Sequence, residues 1–181
     1  MDALGMNEVM SIPTGFLVCD TMLKAADVDL ISSGCVCAGK HYTVVRGDVA
    51  AVRAAVDAGR EAADGALVDS LVIANVEKGV APAIMGCTDT DSLRAVGVME
   101  TYSLCAAIYA ADAAAKAADV RLLEVRLGRG LGGKSFVLLT GDVAAVKAAV
   151  EAAEGLDETQ GLMGKSVVIP APHPDLLRSI Q

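Results

Sequence analysis

The sequence predicts an α+β fold made twice over, and three observations carry that reading. The stretch Gly47-Asp-Val-Ala-Ala-Val-Arg-Ala-Ala-Val-Asp57 returns almost unchanged as Gly141-Asp-Val-Ala-Ala-Val-Lys-Ala-Ala-Val-Glu151, which marks a duplicated unit. Each copy interleaves short β-type runs with Ala-rich stretches of helical period in the order β-α-β-β-α-β. That is the ferredoxin-like split unit, with helices on one face of an antiparallel sheet. Finally, 54% hydrophobic types and 21% charged in 181 residues supply enough apolar side chain for two modest cores.

In the first copy, Leu4 to Glu8 reads as a short apolar strand. Ser11 to Asp27 has helical spacing, with Ser11 as cap and Phe16, Cys19, Leu23 and Ala26 on the apolar face. Val28 to Ser33 and Tyr42 to Arg46 read as strands joined by the glycine-containing loop Gly34 to Lys40. Asp48 opens an Ala-Val helix towards Glu61, and Ser70 to Asn75 is the fourth strand. The second copy repeats the order with strands at 96–101, 120–127, 135–140 and 166–170 and helices at 104–118 and 143–153. Further anchors align, including Ala3-Leu-Gly5 with Ala95-Val-Gly97 and Lys24-Ala-Ala-Asp-Val28 with Lys116-Ala-Ala-Asp-Val120. The expected domains are 1–86 and 95–181, with 87–94 as connector.

A net charge of −8 repels a phosphate backbone and argues against a nucleic-acid partner. The uncharged runs Val9–Cys19 and Thr101–Ala111 fall short of the roughly 20 residues that span a bilayer, so no membrane helix is expected. The opening residues lack a basic stretch before an apolar one, and the expectation is a cytoplasmic protein. Five cysteines, an odd number, are read as single thiols rather than a disulfide framework.

Gly128-Arg-Gly-Leu-Gly-Gly-Lys-Ser135 matches a phosphate-binding glycine pattern, and a small nucleotide-binding enzyme or regulator using this loop is the alternative reading of the chain. Phosphate cradling needs a helix to open directly after the glycines, whereas Phe136-Val-Leu-Leu-Thr140 reads as a strand. The same place in the first copy is Gly34-Cys-Val-Cys-Ala-Gly-Lys-His41, which no nucleotide motif requires. Cys35 and Cys37 stand in that loop. One Cys-x-Cys is too few ligands for a structural zinc site, but chains around a symmetry axis could each give one thiolate to a shared site. Cys19 and Cys105 read as core residues, His41 and His173 as surface or loop residues, and Glu8 and Glu100 as a repeated structural pair at an inter-domain contact.

The pattern Ala3-Leu-Gly-Met6 then Glu8, Cys19-Asp-Thr-Met-Leu-Lys-Ala-Ala-Asp-Val28, Gly47-Asp-Val-Ala-Ala-Val52 and Val168-Ile-Pro-Ala-Pro-His173 resembles the bacterial microcompartment shell domain, across both copies. The order of elements within each copy resembles the non-permuted tandem-domain class. That resemblance implies a non-enzymatic shell protein, a homotrimer imitating a hexagonal tile, joined edge to edge with other shell proteins. Lys24 and Lys116 match the family's edge lysine. Within the class, Val28 to Lys40 is most similar to the propanediol-utilisation type with a pore iron–sulfur cluster. It implies a pore lined by Gly34, Cys35, Val36, Cys37, Ala38 and Gly39 and by Gly128, Arg129, Gly130, Leu131 and Gly132. Cys37, rather than Cys35, matches the ligand position. The pore is implied to serve electron transfer or small-solute passage; one [4Fe–4S] cluster per trimer is the implied cofactor, although another thiophilic metal satisfies the same symmetry, and an encapsulated redox enzyme is the implied electron partner. The family has Pro where this chain has Ala38.

Overall fold

The computed structural model describes residues 2–88, 90 and 92–180, grouped into two units: Met1–Val76 with Gly128–Gly133, and Glu77–Leu127 with Lys134–Gln181. In the first unit, β1 (Asp2–Val9), α1 (Ile12–Ala25), β2 (Asp29–Val36), β3 (Lys40–Asp48), α2 (Val49–Ala62) and β4 (Leu67–Ile73) follow in order. The strands form an antiparallel sheet ordered β2-β3-β1-β4. The second unit holds α3 (Val80–Met85), β5 (Ala95–Thr101), α4 (Leu104–Ala117), β6 (Val120–Arg126), β7 (Ser135–Gly141), α5 (Val143–Glu154) and β8 (Met163–Ile169). Its sheet is β6-β7-β5-β8, the same antiparallel arrangement.

Helices α1 and α4 begin at serine caps. Ser11 Oγ accepts from the Thr14 amide at 3.3 Å and Ser103 Oγ from the Ala106 amide at 3.3 Å. The repeated Ala-x-Gly has a packing cause. A Cβ on Gly5 would lie 2.6 Å from Val52 and Val56 of α2, and one on Gly97 would lie 3.0 Å from Val146 of α5. Each second helix therefore rests directly on the backbone of the first strand. Val18 and Met22 of α1, Val52, Ala55 and Val56 of α2, and Ala3, Val9 and Val45 of the sheet form the first unit's core.

The structure corrects the expected face of α1. Gly15, Val18 and Met22 point inward, whereas Phe16 is exposed, Leu23 is at the surface and Cys19 is half-buried. The helix is apolar nearly all round, so a 3.6-residue period fits more than one stripe. Cys105 of α4 is buried as expected. The helix α3 lies in a stretch for which the sequence suggests no element, being one and a half turns with Pro82 inside it.

Candidate functional site

The β2–β3 hairpin carries the Cys-x-Cys at its tip. β2 ends at Val36 and β3 resumes at Lys40, leaving Cys37, Ala38 and Gly39 as the turn, with Gly39 at φ 78°. Side chains alternate along β2, so Cys35 is exposed while Val36 is buried, and Cys37 is half-buried. The segment Gly128–Gly133 belongs to the same unit and folds against this tip. The Cys37 amide donates to the Gly128 carbonyl at 3.3 Å, and the Cβ of any residue replacing Gly133 would sit 3.6 Å from the Cys37 carbonyl oxygen. Arg129 reaches back towards Gly34, where a Cβ would be 3.3 Å from its guanidinium. Gly128, Gly130, Gly132 and Gly133 all have positive φ, so this loop follows a path that L side chains resist.

After the glycines the chain enters β7 at Ser135, and α5 begins only at Val143. Among the described residues no helix follows directly on Gly128–Ser135, so the strand-entering loop does not have the glycine-to-helix arrangement that the nucleotide reading requires.

Two carboxylates hold the two hairpins. Glu8 on β1 is buried and paired with Lys40, the first residue of β3. Burial raises its pKa above 4.5, and the hydrogen bond and charge of Lys40 oppose that rise. Glu100 pairs with Lys134 at 3.3 Å in a half-exposed setting. Each glutamate thus closes on a lysine of its own unit, Glu8 on Lys40 and Glu100 on Lys134. His41 is corrected: it is buried rather than at the surface, against Gly15 and 5.0 Å from the Phe16 ring. Only a glycine admits the imidazole there, and that glycine was the missed signal. His173 is exposed.

Lys24 pairs with Asp20 at 2.6 Å in the last turns of α1, and Lys116 with Asp112 at 2.6 Å in the last turns of α4. Among the described residues, no group of three or more His, Cys, Asp or Glu side chains within the chain is placed to hold a metal. Cys35 and Cys37 are accessible thiols on a hairpin tip, a donor set suited to one thiolate per chain in a shared thiophilic site and unsuited to a closed site in one chain.

The model for the BMC domain matches residues 3–76 and again residues 95–172, one match on each sheet with its helices. The chain belongs to the BMC domain family. Its relatives include the bacterial microcompartment shell protein PduT of Citrobacter freundii, 42% identical over 98% of this chain and 97% of that one. The carboxysome assembly protein CcmO of Synechocystis sp. is 33% identical over 96% of this chain and 63% of that protein. Among solved structures, that of a microcompartments protein from Desulfitobacterium hafniense DCB superposes with a TM-score of 0.93 at 45% identity, covering 99% of both chains. As a BMC protein with two domains in tandem, the chain is a structural component of a bacterial microcompartment shell in the cytoplasm, and not an enzyme. BMC shell proteins assemble with other shell proteins. No helix among the described residues is long and apolar enough to cross a membrane.

Proposed function

We propose that the chain is a homotrimeric facet tile whose three hairpin tips surround a central opening, with Cys37 of each chain as the ligand to one shared iron–sulfur cluster. The observation that carries this reading is the docking of Gly128–Gly133 onto the Cys37 tip, which gathers two loops of the repeat into one small assembly presenting thiols. A cubane cluster has a threefold axis through one iron, so three equivalent thiolates suffice for the other three. When bound, the cluster supplies one-electron transfer. This chain's residues hold the thiol: Glu8 and Lys40 fix the start of β3, and Gly39 allows the turn. Lys24 and Lys116 are the edge cations of the tile, supported by their matching places on α1 and α4 and the exposure of both. An encapsulated redox enzyme is the electron partner that fits such a pore.

The test of the tile is solution mass together with electron microscopy of assembled protein. The expected result is a trimer of about 55 kDa, three times 18.4 kDa, that forms flat sheets on concentration. A monomer that stays dispersed would overturn it.

A further inference from the structure

A single thiol per chain serves the proposed cluster, and β2 sets a second thiol, Cys35, beside it. Val36, between Cys35 and Cys37, is buried and registers with Lys40, so the alternation of the strand turns the residues on either side of it to the opposite face of the hairpin. The Cys37 amide points away from β3, to the Gly128 carbonyl at 3.3 Å, as the amide of the next edge-strand residue would. Both thiols are free, Cys35 exposed and Cys37 half-buried, so the pair opens outward at the tip.

Spacing decides what two such sulfurs can hold. Two residues of extended chain span roughly 6.6 Å, whereas a disulfide needs its Cβ atoms within about 4.5 Å. A thiophilic ion between the sulfurs lengthens the bridge to two metal–sulfur bonds of about 2.3 Å each, which side chains leaning together from one strand face can reach. Zinc would still need further ligands. The neighbouring donors are engaged: His41, opposite Cys35 on β3, is buried against Gly15 and Phe16, and Glu8 is buried against Lys40. Cu(I) is soft, prefers thiolate and is satisfied by a linear pair of sulfurs. Two thiolates with one Cu(I) carry a single net negative charge, and the Arg129 guanidinium beside Gly34 is the cation placed to offset it.

We infer that Cys35 and Cys37 of one chain bind a single Cu(I) ion as a two-thiolate bridge across the hairpin tip. Binding displaces the proton of each thiol and moves no electron, so the copper arrives already monovalent. The site needs neither the trimer nor the cluster. It shares Cys37 with the cluster, so one tip holds one metal or the other.

The experiment titrates the full, metal-free chain with Cu(I) under anaerobic conditions against bicinchoninate, a chromogenic chelator, and counts copper per protein. The expected result is about one copper per chain, held at least about tenfold more weakly in Cys35→Ser and likewise in Cys37→Ser. Cys87→Ser, which removes an exposed thiol outside the tip, should bind as the parent does. Unchanged denaturant midpoints of the metal-free serine variants separate a lost ligand from a lost fold, and X-ray absorption at the copper edge should show sulfur neighbours without nitrogen. Copper retained in Cys35→Ser would overturn the pair and leave Cys37 to the cluster. A stoichiometry of about one copper per three chains, or well above one per chain, would mean that thiols are pooled between chains and would overturn the single-chain site. Iron uptake is read separately, so its failure would overturn the cluster and leave the copper result standing.

Discussion

The main-chain amide of Cys37 donates to the carbonyl of Gly128 across 3.3 Å, joining residues far apart in the chain within one unit. The thiol-bearing tip is therefore held by backbone on one side and by the Glu8–Lys40 pair at its base.

Lys40→Met leaves Glu8 buried and uncompensated, and should cost about 3–5 kcal/mol at neutral pH. Lys134→Met, at the half-exposed Glu100, should cost under about 1 kcal/mol. Because the Glu8 pKa is raised in the folded state, its contribution is fully present below 4.5 and is lost as pH rises through the raised value. Denaturant unfolding of Lys40→Met should accordingly show part of the loss recovered in acid. Equal costs for the two variants would mean that the burial of Glu8 is without consequence.

His41 titrates in the opposite sense. Burial lowers its pKa below 6.5, so its contribution is present above 6.5 and is lost as pH falls through the lowered value. The melting temperature of His41→Phe, compared with the parent at each pH, should therefore lack this decline on acidification. Parallel pH curves for the two proteins would remove His41 from the account.

Gly15→Ala drives a Cβ into the His41 imidazole and should destabilise the chain by about 1–3 kcal/mol. Combined with His41→Ala, which vacates that space, the loss should be smaller than the sum of the two single losses. Strict additivity in chemical denaturation would mean that the two residues do not press on each other.

Lys24→Ala with Lys116→Ala removes two cations whose partners lie on their own helices, and surface pairs of this kind add at most about 1 kcal/mol to folding. The double variant should keep its solution mass and fail to form sheets. Sheets at the parent concentration would reduce both lysines to helix-end charges.

The duplication made most of the fold legible, because the recurring Gly-Asp-Val-Ala-Ala-Val and Ala-x-Gly strings mark the same helix resting on the same strand. What escaped were features that depend on a partner distant in sequence. The side of α1 that faces inward is decided by Gly15 meeting His41, which no local period encodes. Glu8 and Glu100 read alike, yet one is buried and the other half-exposed. Helix α3 is stabilised by packing on β6 and α4, and its own six residues are too few to announce it.

Anaerobic reconstitution with iron and sulfide, followed by iron and protein assay, tests the central claim most directly. The unmodified chain should turn brown and bind about four irons per three chains, Cys37→Ser should lose both colour and iron, and Cys35→Ser should keep them. Colour lost in Cys35→Ser and kept in Cys37→Ser, or a parent chain that takes up no iron as a trimer, would contradict the assignment of Cys37 as the pore ligand.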